Sequence, residues 1–139
     1  DYAHTPDALK NILKSNTKNK KKPDLVFGCG GDRDRYKRKI MGAIANKYAN
    51  SVYITDDNPR SENPHIIRKT IFSKCKKASE IGDRKEAIKQ AINNLKEKSI
   101  LIIAGKGHEK KQIFNNKVVS FNDVKIAKLF ISRANANAY

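Results

Sequence analysis

The sequence predicts an α/β domain, a Rossmann-like and mainly parallel sheet with helices on both faces and an antiparallel hairpin near the C-terminus. Three observations carry that reading. Short apolar runs alternate with stretches whose apolar residues recur at helical spacing, the order expected of βαβ units. Three loops rich in Gly, Asp and Arg each follow directly on one of those runs. Finally, two short apolar segments flank Asn115-Asn116-Lys117, which fits a hairpin added to the sheet near its end.

Each element has its own signal. Thr5-Pro6-Asp7 supplies an N-cap with Pro at the first helical position, and Leu9, Ile12 and Leu13 continue a helix over 6–15. Residues 16–23 hold no apolar side chain before Pro23 and form a surface loop. The run DLVFG, 24–28, reads as a buried strand. Ile40, Met41, Ile44, Ala45 and Tyr48 share one face of a helix over 37–48, and SVYIT, 51–55, is the next strand. Asn63-Pro64 starts a helix carrying Ile66, Ile67 and Ile71, and residues 79–81 suit a very short strand. Asp83 caps a helix through Ala87, Ile88, Ala91, Ile92 and Leu95, and SILIIA, 99–104, is the clearest buried strand. Gln112–Phe114 and Val118–Ser120 pair as the hairpin, and a last helix spans 123–132.

Composition bounds the function classes. A chain of 139 residues has the size of one domain. Its 38% hydrophobic content, gathered in runs, is enough for one core. No stretch approaches 18 apolar residues and the N-terminus lacks a signal-peptide layout, so a soluble cytoplasmic protein is expected, with no membrane partner. Cys29 and Cys75 show no CxxC or zinc-ligand spacing and read as buried thiols, and no metal site is expected. The formal charge of +16, from 30 Lys plus Arg against 14 Asp plus Glu, raises nucleic acid as a partner. Against it, most of the excess is Lys scattered along helices and loops, and the aromatics fall mostly in core elements, without the stacking pattern of a single-strand binder.

Parallel strands end on one edge, and ligands bind in the crevice beyond their carboxyl ends. The loops GCGGDRD (28–34), DDNPR (56–60) and GKGHE (105–109) should therefore converge on one site. Arg33 and Arg60 offer planar forks for carboxylate or phosphate. Asp57 and Glu109 can take ammonium groups, and Asn58 both donates and accepts. A zwitterion with two carboxylates and two amines suits this set better than a polyanion does. Neither GxGxxG nor GxxxxGK[ST] occurs, so the domain is not expected to hold ATP alone. Lys106 is open to a phosphate contact in a closed complex, and His108 reads as a loop-stabilising residue.

DYAHTPDAL, VFGCGGDRD, TDDNPR and AGKGHE together resemble, in order and spacing, the C-terminal domain of the diaminopimelate-adding branch of the Mur ligase family. The resemblance runs from Asp1 to about Arg133 and departs at RYKRK, where relatives often have KGKRP, and in the basic loop 16–23. It implies a three-domain enzyme of peptidoglycan synthesis that adds meso-diaminopimelate to UDP-MurNAc-L-Ala-D-Glu through an acyl phosphate. ATP and Mg2+ would be bound mainly by a central domain that residues 1–139 do not include. Residues 1–139 would be the amino-acid-binding domain, with 1–6 the hinge and Asp1, Tyr2 and His4 near the nucleotide. Carried over by position, Arg33, Asp57, Asn58, Arg60, Gly105 and Glu109 would hold diaminopimelate, with no catalytic residue in this domain and no activity from it alone. A basic nucleic-acid-binding module and a free-standing amino-acid-binding domain remain the rival readings.

Overall fold

The computed structural model describes residues 3–137, and the chain runs α1 (Pro6–Ser15), β1 (Asp24–Phe27), α2 (Tyr36–Tyr48), β2 (Val52–Ile54), α3 (Pro64–Phe72), β3 (Ser79–Glu80), α4 (Arg84–Asn94) and β4 (Leu101–Ile103). The hairpin β5 (Lys111–Phe114) and β6 (Lys117–Ser120) follows, and α5 (Asp123–Asn137) closes the chain. The helix starts follow the predicted caps. Thr5 accepts from Ala8 N–H at 3.2 Å, Asn63 from His65 N–H at 2.9 Å and Asp83 from Lys85 N–H at 3.0 Å. At α2 the residue Tyr36 begins the helix and is 87% exposed, while its N–H is taken by Asp34 Oδ1 at 2.9 Å. A carboxylate there does what a side-chain cap would otherwise do.

The four strands pair in parallel in the order β3-β2-β1-β4. The chain moves outward from β1 through β2 to β3 and then crosses back, so the order reverses between β1 and β4. Period two sends Leu25 and Phe27 to one face and Val26 to the other. On the first face they meet Leu9 and Leu13 of α1, Met41 and Ala45 of α2, and Ile67 and Ile71 of α3. On the second, Val26 and Tyr53 pack with Ala87, Ile88 and Ala91 of α4 and Phe130 of α5. Coverage on both sides explains why β1 is buried at every position. Both cysteines are buried as expected, and burial pushes the Cys29 thiol up to about 12.

Two expectations need correction. The last helix continues to Asn137 instead of stopping at Ser132, because Arg133 to Asn137 contain no Gly or Pro to end it even though the apolar periodicity has run out. The hairpin is also not part of the main sheet. It forms a separate two-stranded sheet that meets the loop after β2 at a bridge between Arg60 and Phe114.

Folding also sorts the charge. The connections that precede the strands carry Lys18, Lys20 to Lys22, Lys74, Lys76, Lys77, Lys96 and Lys98, with Glu97 as their one acid. Those connections lie on the amino edge of the parallel sheet. Nine of the 23 lysines thus collect on the edge opposite the loops of interest.

Buried ion pairs fasten the second face. Arg84, 1% exposed, donates from Nε to Asp123 Oδ1 at 2.8 Å and from Nη2 to Asp123 Oδ2 at 2.7 Å. It also reaches the carbonyls of Asp56 at 3.3 Å and Ala104 at 3.1 Å, which end two of the strand-to-loop transitions. Asp123→Ala is expected to lower unfolding free energy by about 3 to 5 kcal/mol, the cost of stranding a buried charge. Replacing both partners, Arg84→Met with Asp123→Leu, should recover most of that loss in a urea titration. A single variant as stable as the wild type would contradict this account.

Candidate functional site

The carboxyl edge of the sheet is where the three loops meet, at the point where strand order reverses. Tight backbone approach makes the meeting possible. A Cβ on Gly31 would collide with the carbonyl oxygen of Pro59, so the first loop can lie against the second only with glycine there. Gly31 N–H donates to Asn58 O at 2.8 Å across this contact. Gly105 has φ +109°, and its Cβ would sit 2.8 Å from Asp57 Oδ2.

A cleft of about 290 Å³ opens between the loops, lined by Arg33, Asp57, Asn58, Arg60, Gly105 and Glu109 together with His4, Gly30 and Lys37. All six positions carried over for ligand binding are therefore brought to one place, and His4, in the segment expected to be a hinge, joins them. Asp1 and Tyr2 lie outside the described residues. Lys37 was not singled out in the sequence; its Nζ donates to His4 O at 3.0 Å and ties the segment before α1 to α2.

The cleft has two poles. Around Gly30 stand Arg60, whose Nη1 is 2.9 Å from the place a Cβ would take, and the Arg33 side chain at 3.8 Å. Around Gly105 stands Asp57, with Glu109 close by through a shared cation. Arg33 is exposed and donates to the Asp32 carbonyl at 2.9 Å, so it pairs with neither Asp32 nor Asp34 through their carboxylates. Asp32 instead takes the Ser61 hydroxyl at 2.6 Å and the Ser61 N–H at 3.1 Å, and these bonds hold its carboxyl below the usual range.

Arg60 is held at both ends. Its Nη1 donates to Gly31 O at 2.9 Å, its N–H to Ile113 O at 3.0 Å, and its carbonyl accepts from Asn115 N–H. The backbone sits at φ +51°, a left-handed conformation uncommon for a side chain of this size. The hairpin is thus the clamp that sets the direction of Arg60. Gln112 adds to the clamp, with Nε2 donating to Asp56 O at 3.1 Å.

Sequence reasoning missed the supports beneath the cleft. Arg38, 2% exposed, donates to Gly30 O at 3.1 Å and to both oxygens of Glu62 at 3.1 and 2.8 Å. Arg68 joins Asp56 to Glu80. Lys106 is fully buried and its ammonium is committed to protein oxygens, so it is not extended toward a phosphate in this structure. An arginine or lysine at the start of a helix or in a loop reads as surface from sequence, and only packing reveals otherwise.

A family model described as Mur ligase, glutamate ligase domain, matches residues 1–107. The UDP-N-acetylmuramoyl-L-alanyl-D-glutamate--2,6-diaminopimelate ligase of Rickettsia felis is 52% identical over 138 residues, 95% of this chain and 26% of that protein. Its counterpart in Anaplasma marginale is 56% identical over 126 residues, 88% of this chain and 27% of that protein. The chain spans about a quarter of the length of these relatives. A solved structure of a ligase of the same name matches with TM-score 0.84 and 42% identity over 97% of this chain and 29% of its own. E. coli FolC in complex with ADP shares the fold, with TM-score 0.57 and 13% identity over 100% of this chain and 29% of its own.

The support under Gly30 titrates. Hydrogen bonds from Arg38 hold the Glu62 carboxyl down at about 2, against an ordinary value of 4.5. Because the folded value is the lower one, this pair contributes stability that is complete above about pH 4.5 and fades as pH falls toward about 2. Glu62→Gln should therefore be less stable than the wild type near neutrality. The gap should narrow steadily as urea titrations are repeated from about pH 6 down to about pH 3. A gap independent of pH would remove Glu62 from this role.

Proposed function

The chain belongs to the Mur ligase family, and on that premise we propose that it is the domain that binds and positions meso-diaminopimelate in a ligase joining it to UDP-MurNAc-L-Ala-D-Glu during peptidoglycan synthesis. The single observation that carries this reading is the two-poled cleft, with Arg33 and Arg60 about Gly30 and Asp57 and Glu109 about Gly105. A zwitterion that bears carboxylates and ammoniums at both ends satisfies such a cleft. A phosphate chain would meet two carboxylates there. The names of the relatives support the same substrate class.

The division of labour follows from what these residues can do. Held by its carboxylates at the arginines and by one ammonium at the carboxylates, diaminopimelate would present its remaining amine, once deprotonated, to an activated carboxyl group. Fixing that amine beside its target removes an entropic cost of several kcal/mol, on the order of what positioned reactants gain generally. The activated carboxyl, an acyl phosphate, would be generated with ATP and Mg2+ on the rest of the enzyme. No GxxxxGK[ST] occurs in the sequence, and no group of three metal-ligating side chains is found among the described residues, so no nucleotide or metal step is assigned here. The hinge reading of residues 1–6 belongs to the same proposal, supported by His4 at the cleft.

Selectivity should rest on Arg60. Lysine lacks one carboxylate of diaminopimelate, and a half-buried guanidinium that loses its carboxylate partner penalises the analogue. In the whole ligase, Arg60→Ala is expected to lower kcat/KM for meso-diaminopimelate by at least about 30-fold, from about 2 kcal/mol or more for a truncated charge pair. The KM for ATP should stay near the wild-type value. Steady-state kinetics with both amino acids decides the matter: an unchanged efficiency, or a wild type that prefers lysine, would remove the specificity role. The isolated chain with ATP and diaminopimelate should release no phosphate above background.

A further inference from the structure

Lys106 has 0% of its side chain exposed, yet it sits in a loop on the edge of the sheet. The local sequence explains how. Gly105 at φ +109° and Gly107 at φ +53° flank it, and these two left-handed residues turn the lysine inward. There its Nζ lies 2.8 Å from Asn58 Oδ1, 3.0 Å from Lys111 O, 3.2 Å from Asp57 Oδ1 and 3.5 Å from Glu109 Oε2. An ammonium has three protons and nothing to accept with: Asn58 Oδ1 and Lys111 O accept hydrogen bonds from it, and the Asp57 and Glu109 carboxylates pair with it as ions.

The consequence for Asn58 is specific. Its Oδ1 receives both Lys106 Nζ and the Ile113 N–H, the latter at 3.0 Å. Two donors on one oxygen settle which end of the amide is which. The Nδ2 group is left to face Glu109 Oε2, at 3.4 Å, on the side where the cleft lies. Asp57 is divided in the same way, Oδ1 on the lysine and Oδ2 toward Gly105.

We propose that Lys106 is a positioning residue for the amino-acid substrate: from behind the cleft its ammonium fixes Asn58 as a hydrogen-bond donor toward a ligand carboxylate and holds the Asp57 and Glu109 carboxylates side by side where a ligand ammonium would meet them. The inference rests on the diaminopimelate reading of the cleft. It assigns polarity to a site whose residues alone leave it open, because an asparagine can turn either face outward.

The test uses the whole ligase that carries this chain, with each substrate varied in turn. For Lys106→Met, the KM for meso-diaminopimelate should rise by about tenfold or more while the KM values for ATP and the UDP-linked substrate stay within about twofold. A merely structural lysine would lower melting temperature and the active fraction and leave all three KM values unchanged, and that result would overturn the proposal. Asn58→Asp guards against a variant that fails to fold. It keeps an oxygen for Lys106 and Ile113 and places an acceptor where the donor was. It should melt near the wild-type temperature yet bind meso-diaminopimelate about tenfold or more weakly; wild-type affinity would refute the assigned polarity. If the wild type proves to use another amino acid, the substrate reading fails separately, and the same KM split, measured on that amino acid, still decides the role of Lys106.

Discussion

Parallel strands deliver their last carbonyls to loops instead of to a neighbouring strand, and in this chain buried cations take up the oxygens so left over. Arg38 serves Gly30 O and Arg84 serves the carbonyls of Asp56 and Ala104, while Lys106 reaches across to Lys111 O at the start of the hairpin. Each of the three also holds at least one carboxylate. Buried charges are costly unless paired and hydrogen-bonded, and these are both, although Arg38 Nε has no hydrogen-bond partner among the described residues. The loops of the cleft are therefore as well anchored as the sheet beneath them.

That anchoring has a functional side. A site that distinguishes one zwitterion from another needs its charges aimed before the ligand arrives, since otherwise the ligand would have to meet the cost of ordering them. Here Arg60 is aimed by the hairpin and by Gly31 O, and Asn58 by Lys106 and Ile113 N–H. The hairpin, though outside the main sheet, thus takes part in building the site. Its contribution is backbone hydrogen bonding to Arg60, with the Gln112 side chain adding a bond to Asp56 O.

The overall charge of +16 and the chemistry of the cleft are separate properties. Lysines dominate the amino edge of the sheet, while mixed signs occupy the carboxyl edge. Repulsion among the lysines is relieved by solvent and by carbonyl partners, as with Lys22 to Lys47 O at 2.9 Å and Lys77 to Ala49 O at 2.7 Å. At this distance the amino edge contributes a screened, diffuse field to the cleft and no contact.

By itself the sequence determined the order of elements, the caps at Thr5, Asn63 and Asp83, and the convergence of three loops, because periodicity, capping and the carboxyl-edge rule are local or topological. That Arg33, Asp57, Asn58, Arg60, Gly105 and Glu109 share one cleft was legible for the same reason, since each lies in a loop that follows a strand. The tertiary structure alone decided that Arg38, Arg84 and Lys106 are buried, that the hairpin stands apart from the sheet and clamps Arg60, and that the lysines gather on one edge. Those outcomes depend on partners far along the chain, such as Asp123 for Arg84 at a separation of 39 residues. A cation reads as a surface residue until the carboxylate and carbonyls that can replace its water are brought beside it, and only folding does that.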